Sequence, residues 1–342
     1  MPVRPLLLAA GLLAVTAVLA PVTVRAQEPP PAPAENVGIR IVDAPTSRAD
    51  DPRALQYIVD HVAPGTTITR RVEVSNDTTE PQAVQLYAAA ADIADGSFQF
   101  GDGRAANELT EWTTVEPGSV DPPAGEDMLA TVTIAVPADA SPGERYGVVW
   151  AELAAAVPEG GGIGAVNRVG VRIYLSVGEG GEPASDFAIT AFEARRDADG
   201  NPVVAATVDN TGGRAVDLSG ELMLTDGPGG LSAGPFAAEL GSTLGIGQRG
   251  PVLVTLDEAI PAGPWEATIV LRSGITEREA AAGITFPDDD ASAADPVATA
   301  TTGASSLVPV IVGAGVLVAA LLAAWVYLRR RPRSIVAASN GT

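Results

Sequence analysis

The sequence predicts an all-β fold of two tandem immunoglobulin-like antiparallel β-sandwiches, followed by one C-terminal transmembrane helix. Three observations favour this fold class. Apolar and polar residues alternate with a period of two in many short segments, which is typical of half-buried strands. Pairs of Gly, Pro, Asn and Asp separate these segments, as turns do. Near the C-terminus, residues 307–328 form a run of 22 residues without a charge.

The first 26 residues have the layout of a secretory signal peptide. Arg4 supplies a positive start, residues 6–20 are almost continuously apolar, and the segment ends in Val24-Arg25-Ala26. We expect cleavage after Ala26; an uncleaved N-terminal anchor is the alternative. Residues 27–35 contain four prolines and predict a stiff, extended linker.

Residues 36–180 form the first β-rich block. Its clearest strand is 169–177, where every second residue is apolar from Val169 to Val177. Residues 128–136 alternate in the same way, and no amphipathic helix of a dozen residues is predicted. Seven or more short strands between turns favour an antiparallel sandwich. The other predicted strands are 37–42, 67–75, 83–91, 97–100 and 145–153.

Residues 185–287 form a second β-rich block of similar length. It echoes the first in sequence, because 206–211 resembles 72–77 as a strand that ends in an asparagine turn at Asn210 or Asn76. Residues 254–263 likewise resemble 134–143. A second immunoglobulin-like sandwich follows from this repetition. Its predicted strands are 187–195, 202–210, 218–225, 251–256, 265–272 and 282–286.

The C-terminal part of the sequence predicts a membrane anchor. Residues 288–306 are acidic and then rich in Ala, Thr and Ser, as expected for a stalk. Residues 307–328 would span roughly 33 Å as a helix, enough to cross a bilayer; a buried core helix is the alternative. Four arginines within 329–333 then predict a basic cytoplasmic tail over 329–342. We therefore expect a single-pass protein of the cell membrane, with its N-terminus outside.

Composition excludes several classes of function. The chain has 42 acidic and 21 basic residues, no cysteine and a single histidine. It therefore has no disulfide, no thiol nucleophile and no thiolate zinc site. Its acidity argues against binding nucleic acid, which needs a basic surface. No cofactor and no metal site is predicted.

Several motifs of the first block resemble the N-terminal domain of the WxL-interacting proteins of Gram-positive bacteria. Pro64-Gly65 precedes a strand that ends at Asn76, and Pro142-Gly143 precedes a strand containing Trp150. The matching segments are 62–65, 72–76, 83–91, 112, 117–120, 134–144 and 146–152. The resemblance implies peptidoglycan binding by the first domain and contact with a partner or host protein by the second. The lysine-free, Ala/Gly/Pro-rich composition favours an actinobacterial source.

Aromatic residues make up 4% of the chain, so those near turns are candidate ligand-binding residues. Phe98 and Phe100 share one face of a predicted hairpin, and Trp112 lies beside a turn-rich stretch. Aromatic rings of this kind bind the apolar faces of sugars. The alternative is that all three are core residues, as we expect for Trp150 and Trp265 within strands.

Four carboxylates lie near the same hairpin, namely Asp92, Asp95, Asp102 and Glu108. They could hold a cation or act as an acid/base pair in glycan hydrolysis, although aspartate beside glycine is typical of turns. We therefore predict a non-enzymatic surface protein that binds peptidoglycan, scaffolds another secreted surface protein, or both. The alternative is a wall-modifying hydrolase that uses carboxylates of the 92–108 region.

Overall fold

The structure, a computed structural model, describes residues 37–153, 166–239, 241–287 and 296–301. These residues are almost entirely strands, which confirms the all-β fold class. Within these ranges, no helix is long and apolar enough to span a bilayer. The predicted signal peptide (1–26), proline-rich linker (27–35), membrane helix (307–328) and tail (329–342) lie outside the described residues.

The first sandwich consists of two facing sheets and one five-residue helix, α1 (Glu108–Trp112). One sheet has the order β1-β3-β8-β6, and the other has the order β2-β10-β9-β4-β5, with β7 paired to β4. The strands are β1 (Val37–Ile41), β2 (Ile58–Val62), β3 (Thr67–Asn76), β4 (Val84–Ala94), β5 (Ser97–Phe100), β6 (Thr113–Glu116), β7 (Ser119–Val120), β8 (Asp127–Ala135), β9 (Gly143–Leu153) and β10 (Asn167–Val177).

One strand pair departs from the predicted antiparallel arrangement. β2 pairs with β10 in parallel, with Ile58 opposite Ile173. Two parallel strands need a long connection between them, and here more than a hundred residues of chain separate the pair. β1 and β2 thus join opposite sheets, and the segment between them crosses the open end of the sandwich.

Alternation in the sequence matches burial in the first core. Val171, Ile173, Leu175 and Val177 are all core residues, as predicted for that strand. Val169 is 37% exposed because it lies near the start of β10, where the partner sheet no longer covers it. In β8, Ala130, Val132 and Ile134 are buried as predicted, whereas Met128 at the start of the strand is exposed.

The second sandwich has its own core and a similar arrangement. One sheet has the order β17-β12-β11-β20, a second has the order β15-β14-β18-β19-β21, and β13 pairs with β16. The strands are β11 (Phe187–Arg196), β12 (Pro202–Asn210), β13 (Val216–Asp217), β14 (Ser219–Thr225), β15 (Ala233–Ala237), β16 (Thr243–Leu244), β17 (Arg249–Thr255), β18 (Gly263–Ser273), β19 (Thr276–Phe286), β20 (Val297–Ala298) and β21 (Ala300–Thr301).

Part of the predicted stalk is paired with this sandwich. β20 pairs with β11, and β21 pairs with β19, so residues 296–301 contact both sheets. At the crossing point, the Thr299 N–H donates to Thr190 O (3.2 Å) and its hydroxyl donates to Ile189 O (2.7 Å). Edge strands offer unpaired backbone groups, and this segment satisfies some of them.

The internal repeat seen in the sequence has a structural counterpart. The Asn76 side-chain amide lies within 3.1 Å of the carbonyl oxygens of Glu80, Pro122 and Pro123. The Asn210 amide lies within 3.0 Å of those of Arg214, Leu244 and Gly245. Both asparagines are buried. Each therefore ties the end of its strand to two neighbouring loops of its own sandwich.

Candidate functional site

The outer face of the β2-β10-β9-β4-β5 sheet carries a continuous set of aromatic rings. We call this set the aromatic array. Neighbouring ring centroids lie 4.8–6.2 Å apart in tilted or edge-to-face pairs, which are favourable geometries for aromatic contacts. Its members are Tyr57, Tyr87, Phe98, Phe100, Tyr146, Trp150 and Tyr174.

At one end of the array, the second sandwich contacts the first through a partly buried carboxylate, Asp217. Arg53 Nε donates to Asp217 Oδ2 (2.8 Å) and its guanidinium lies over the Tyr174 ring, 4.6 Å from the centroid. The hydroxyls of Tyr174 (2.7 Å) and Thr243 (2.8 Å) and the Arg172 guanidinium (3.2 Å) donate to Oδ1. Four side chains therefore converge on one carboxylate.

A second carboxylate, that of Glu144 in the first sandwich, forms a hydrogen bond with the second sandwich at the same junction. Its Oε2 accepts hydrogen bonds from the Ala215 N–H (2.7 Å) and the Tyr146 hydroxyl (2.8 Å). Burial raises the pKa of Glu144, and these two donors only partly offset that effect. Burial, followed by the nearby Glu144 charge, also raises the pKa of Tyr146. The junction therefore consists of charged and aromatic side chains that form hydrogen bonds with one another and with the backbone of the second sandwich.

The β4–β5 hairpin is folded over the array instead of standing free. At its tip, Gly96 O accepts from the Thr243 N–H (2.8 Å), and Ile93 O accepts from the Gln248 amide (3.0 Å). This places Phe98 in a small core with Tyr174 and Ala215, where its side chain is 4% exposed. Phe98, predicted as a ligand-binding residue, is consequently a packing residue of the junction.

Trp112, the second predicted ligand-binding residue, belongs to the core of the first sandwich. It ends α1, and Asn107 caps the start of this helix by accepting a hydrogen bond from the Thr110 N–H (3.1 Å). The helix turns Leu109 and Trp112 inward, and Arg145 covers the ring with its guanidinium 4.9 Å from the centroid. No face of this indole is open to a sugar.

Phe100, the third predicted residue, lies at the open end of the array and is 42% exposed. Its ring contacts Trp150 at a centroid distance of 4.8 Å. Trp150 lies flat over Gly170, where an added Cβ would come within 2.7 Å of the indole. This close approach needs a glycine, and it holds the Trp150–Phe100 pair against the sheet.

Arginines complete the open end. The Arg104 guanidinium lies over Tyr87 at 3.8 Å from the ring centroid, and that of Arg168 lies over Trp150 at 4.4 Å. Guanidinium groups over aromatic faces are favourable cation–π contacts. Trp150 is buried, as predicted, although in a cluster on the outer face of the sheet. Tyr87, Arg104 and Arg168 were not predicted as site residues. The signal was present in β9, where Tyr146 and Trp150 alternate with the inward-facing Val149.

Beside Phe100 lies an open hollow of about 600 Å³. Its polar lining consists of hydrogen-bonding groups from the β4–β5 hairpin, the start of α1 and the start of β9, so two aromatic residues and several polar groups line the same space. This mixture is typical of sites that bind polar organic ligands. The lining includes Asp92, Gln99, Phe100, Asn107, Glu108, Arg145 and Tyr146.

The four carboxylates proposed for hydrolysis do not form one cluster around this hollow. Asp92 and Glu108 line it, and Glu108 is paired with Arg145 (2.8 Å). Asp95 occupies a turn position with φ of 52°, and Asp102 lies in the next turn, as expected from their neighbouring glycines. Over the described part of the chain, no three acidic or histidine side chains are grouped to hold a metal ion.

A second cavity, of about 620 Å³, lies at the junction between the sandwiches. Its lining includes Arg53, Arg172 and Arg272. Each of these arginines already has a carboxylate partner, Asp217 for the first two and Glu277 for the third. The hollow beside Phe100 is therefore the better candidate site.

The chain matches no protein-family model and no curated protein. Solved structures with a similar arrangement include the CupB2 chaperone of Pseudomonas aeruginosa, at 11% identity and a TM-score of 0.35, with 68% of this chain and 97% of that chain covered. A Salmonella enterica SafA pilin in complex with the SafB chaperone gives 11% identity and a TM-score of 0.39, with 72% of this chain and 97% of that chain covered. The E. coli chaperone DraB gives 10% identity and a TM-score of 0.35, with 71% of this chain and 93% of that chain covered. Likenesses of this size carry no functional argument.

Proposed function

We propose that this chain is a non-enzymatic, membrane-anchored surface protein that binds cell-wall glycan, peptidoglycan above all, through the first sandwich. The observation that carries the proposal is the exposed ring of Phe100 beside the polar hollow. The resemblance of the first block to the WxL-interacting proteins points to the same ligand. The predicted signal peptide and membrane helix would place this sandwich outside the cell.

The chemistry of the hollow suits a sugar. The apolar face of a pyranose ring packs on an aromatic side chain, and its hydroxyls need hydrogen-bond partners around the rim. Phe100 offers the ring, while Gln99 and Asp92 line the same hollow and offer amide and carboxylate groups. Because Trp150 lies against Phe100, the exposed ring is held in place before a ligand arrives. A preformed site of this kind loses little entropy on binding.

The second sandwich has a different part in this proposal. Its contacts through Asp217 and Ala215 hold the two sandwiches together, so it would present the first sandwich at a fixed angle above the membrane. Its remaining surface is available to another secreted surface protein, the partner implied by the family resemblance. Deletion of this partner's gene should leave wall binding unchanged.

Sedimentation with purified cell walls tests the proposed function. The full-length chain should be retained by walls, and Phe100→Ala should weaken retention about five-fold, because an aromatic stack contributes on the order of 1 kcal/mol. Leu129→Ala is the matched control, since Leu129 is 50% exposed on β8 of the same sandwich. Wild-type protein that stays in the supernatant with and without walls would refute the proposal.

A hydrolase remains the second candidate, because Asp92 and Glu108 both line the hollow. Incubation of the full-length chain with purified walls would release soluble sugar fragments if it were correct. We expect no release, since Arg145 pairs with Glu108, and Glu144, which also lines the hollow, already accepts hydrogen bonds from the Ala215 N–H and the Tyr146 hydroxyl.

A further inference from the structure

Two arginines at the open end of the aromatic array have an unusual electrostatic position. The chain carries a net charge of −21, and most arginines that the structure describes form ion pairs with Asp or Glu. Arg104 and Arg168 form no ion pair with any residue in the described ranges. Each is instead placed over an aromatic ring.

The fold places the two rings beneath these guanidinium groups next to each other. Tyr87 and Trp150, the rings beneath them, are directly opposite in the β4–β9 pairing. Side chains at directly opposite positions of neighbouring strands are in contact range. Arg168 also donates to Gly103 O (3.2 Å), which ties down the turn that carries Arg104. The pair is therefore preorganised by two cation–π contacts and one backbone hydrogen bond.

Arginine in this setting suits an oxyanion. A guanidinium that lies over a ring keeps N–H groups for an acceptor, and its planar fork matches carboxylate and phosphate oxygens. Phe100 lies between this arginine pair and the hollow. Its ring contacts Trp150, which lies beneath Arg168, and it also lines the hollow. An anionic substituent of a sugar bound at Phe100 would point toward Arg168.

We infer that Arg104 and Arg168 form a subsite for a carboxylate or phosphate carried by the bound glycan. This inference rests on the proposed function and specifies its ligand as an anionic glycan. It also explains how a strongly acidic chain would bind an anionic polymer, because the two cationic groups lie beside the site. Glu152, directly opposite Arg168 in the β9–β10 pairing, already accepts a hydrogen bond from the Tyr87 hydroxyl.

The test measures retention of the full-length chain on purified walls in three forms: untreated, treated with hydrofluoric acid to remove phosphate polymers, and amidated with carbodiimide to neutralise carboxylates. We expect the double variant Arg104→Gln/Arg168→Gln to bind untreated walls about ten-fold more weakly than wild type, with less dependence on salt. The charge-matched control is the double variant Arg195→Gln/Arg249→Gln on β11 and β17 of the second sandwich, which should bind as wild type does.

The outcomes separate the inference from the proposed function. Wild-type retention that falls on amidated walls identifies a carboxylate, and retention that falls after hydrofluoric acid identifies a phosphate. Wild-type binding that survives both treatments overturns the inference but leaves glycan binding intact. So does a folded double variant that binds as well as wild type. Failure of the wild type to bind untreated walls overturns the proposed function itself.

Discussion

Substitution of Asp217 should uncouple the two sandwiches and lower their stability. Its carboxylate accepts from Arg53 and Tyr174 of the first sandwich, and the Arg53 and Asp217 side chains are only 7% and 16% exposed. Asp217→Asn would leave the Arg53 guanidinium buried without its counter-charge. Breaking a buried ion pair in this way costs about 3–5 kcal/mol. For a chain of this size, that loss lowers the melting temperature by roughly 10 °C.

Thermal unfolding of the full-length chain, followed by tryptophan fluorescence, provides the assay. The matched control is Asp209→Asn, because Asp209 pairs with Arg249 in an exposed ion pair within the second sandwich. Exposed pairs contribute about 0–1 kcal/mol, so this control should shift the melting temperature by only a few degrees. If Asp217→Asn shifts it no further than Asp209→Asn does, the junction is not held together by this carboxylate and the reasoning is wrong.

Three further predictions concern other contacts. Asn76→Ala and Asn210→Ala should each cost about 1–3 kcal/mol in chemical denaturation, because each leaves buried carbonyl oxygens without a donor; equal stability to wild type would contradict the shared role. Thr299→Pro should destabilise the second sandwich by about 1–3 kcal/mol through loss of two hydrogen bonds, whereas Thr299→Ser should not; a proline variant as stable as wild type would show that residues 296–301 add nothing. Finally, burial raises the pKa of Glu144 in the folded protein. The stability that the protonated Glu144 side chain contributes is therefore full below about pH 4 and is lost as the pH rises through the raised pKa. The melting temperature of Glu144→Gln relative to that of wild type should therefore rise as the pH increases above about 4. A difference in melting temperature that stays constant with pH would contradict this prediction.

Period-two alternation identified the strands that have one face in a core and one in solvent. β12 was predicted to the residue, and the predicted strand 187–195 falls one residue short of β11 (Phe187–Arg196). β2 (Ile58–Val62) was missed because it is buried on both faces, so its apolar residues do not alternate. Asp60 within it is buried beside Arg70, a pairing that links residues ten positions apart and leaves no local signal.

The candidate site was predicted only in part, for a related reason. The sequence showed that Phe98 and Phe100 share a face, and they do lie together in the aromatic array. Which of the two is exposed depends on the second sandwich, whose Thr243 and Gln248 hold the hairpin down over Phe98. The arginines that cover Tyr87 and Trp150 come from separate turns and strands. Long-range contacts of this kind leave no pattern in a single sequence.

The central claim is that the exposed ring of Phe100 is where the wall glycan binds. Hydroxyl-radical oxidation of the wall-bound full-length chain, read by mass spectrometry of its peptides, measures this most directly. Phe236, partly buried on β15 of the second sandwich, is the internal control. The account predicts that oxidation of Phe100 falls several-fold on wall binding while oxidation of Phe236 stays constant. Unchanged oxidation of Phe100 in protein that is demonstrably bound to walls would contradict it.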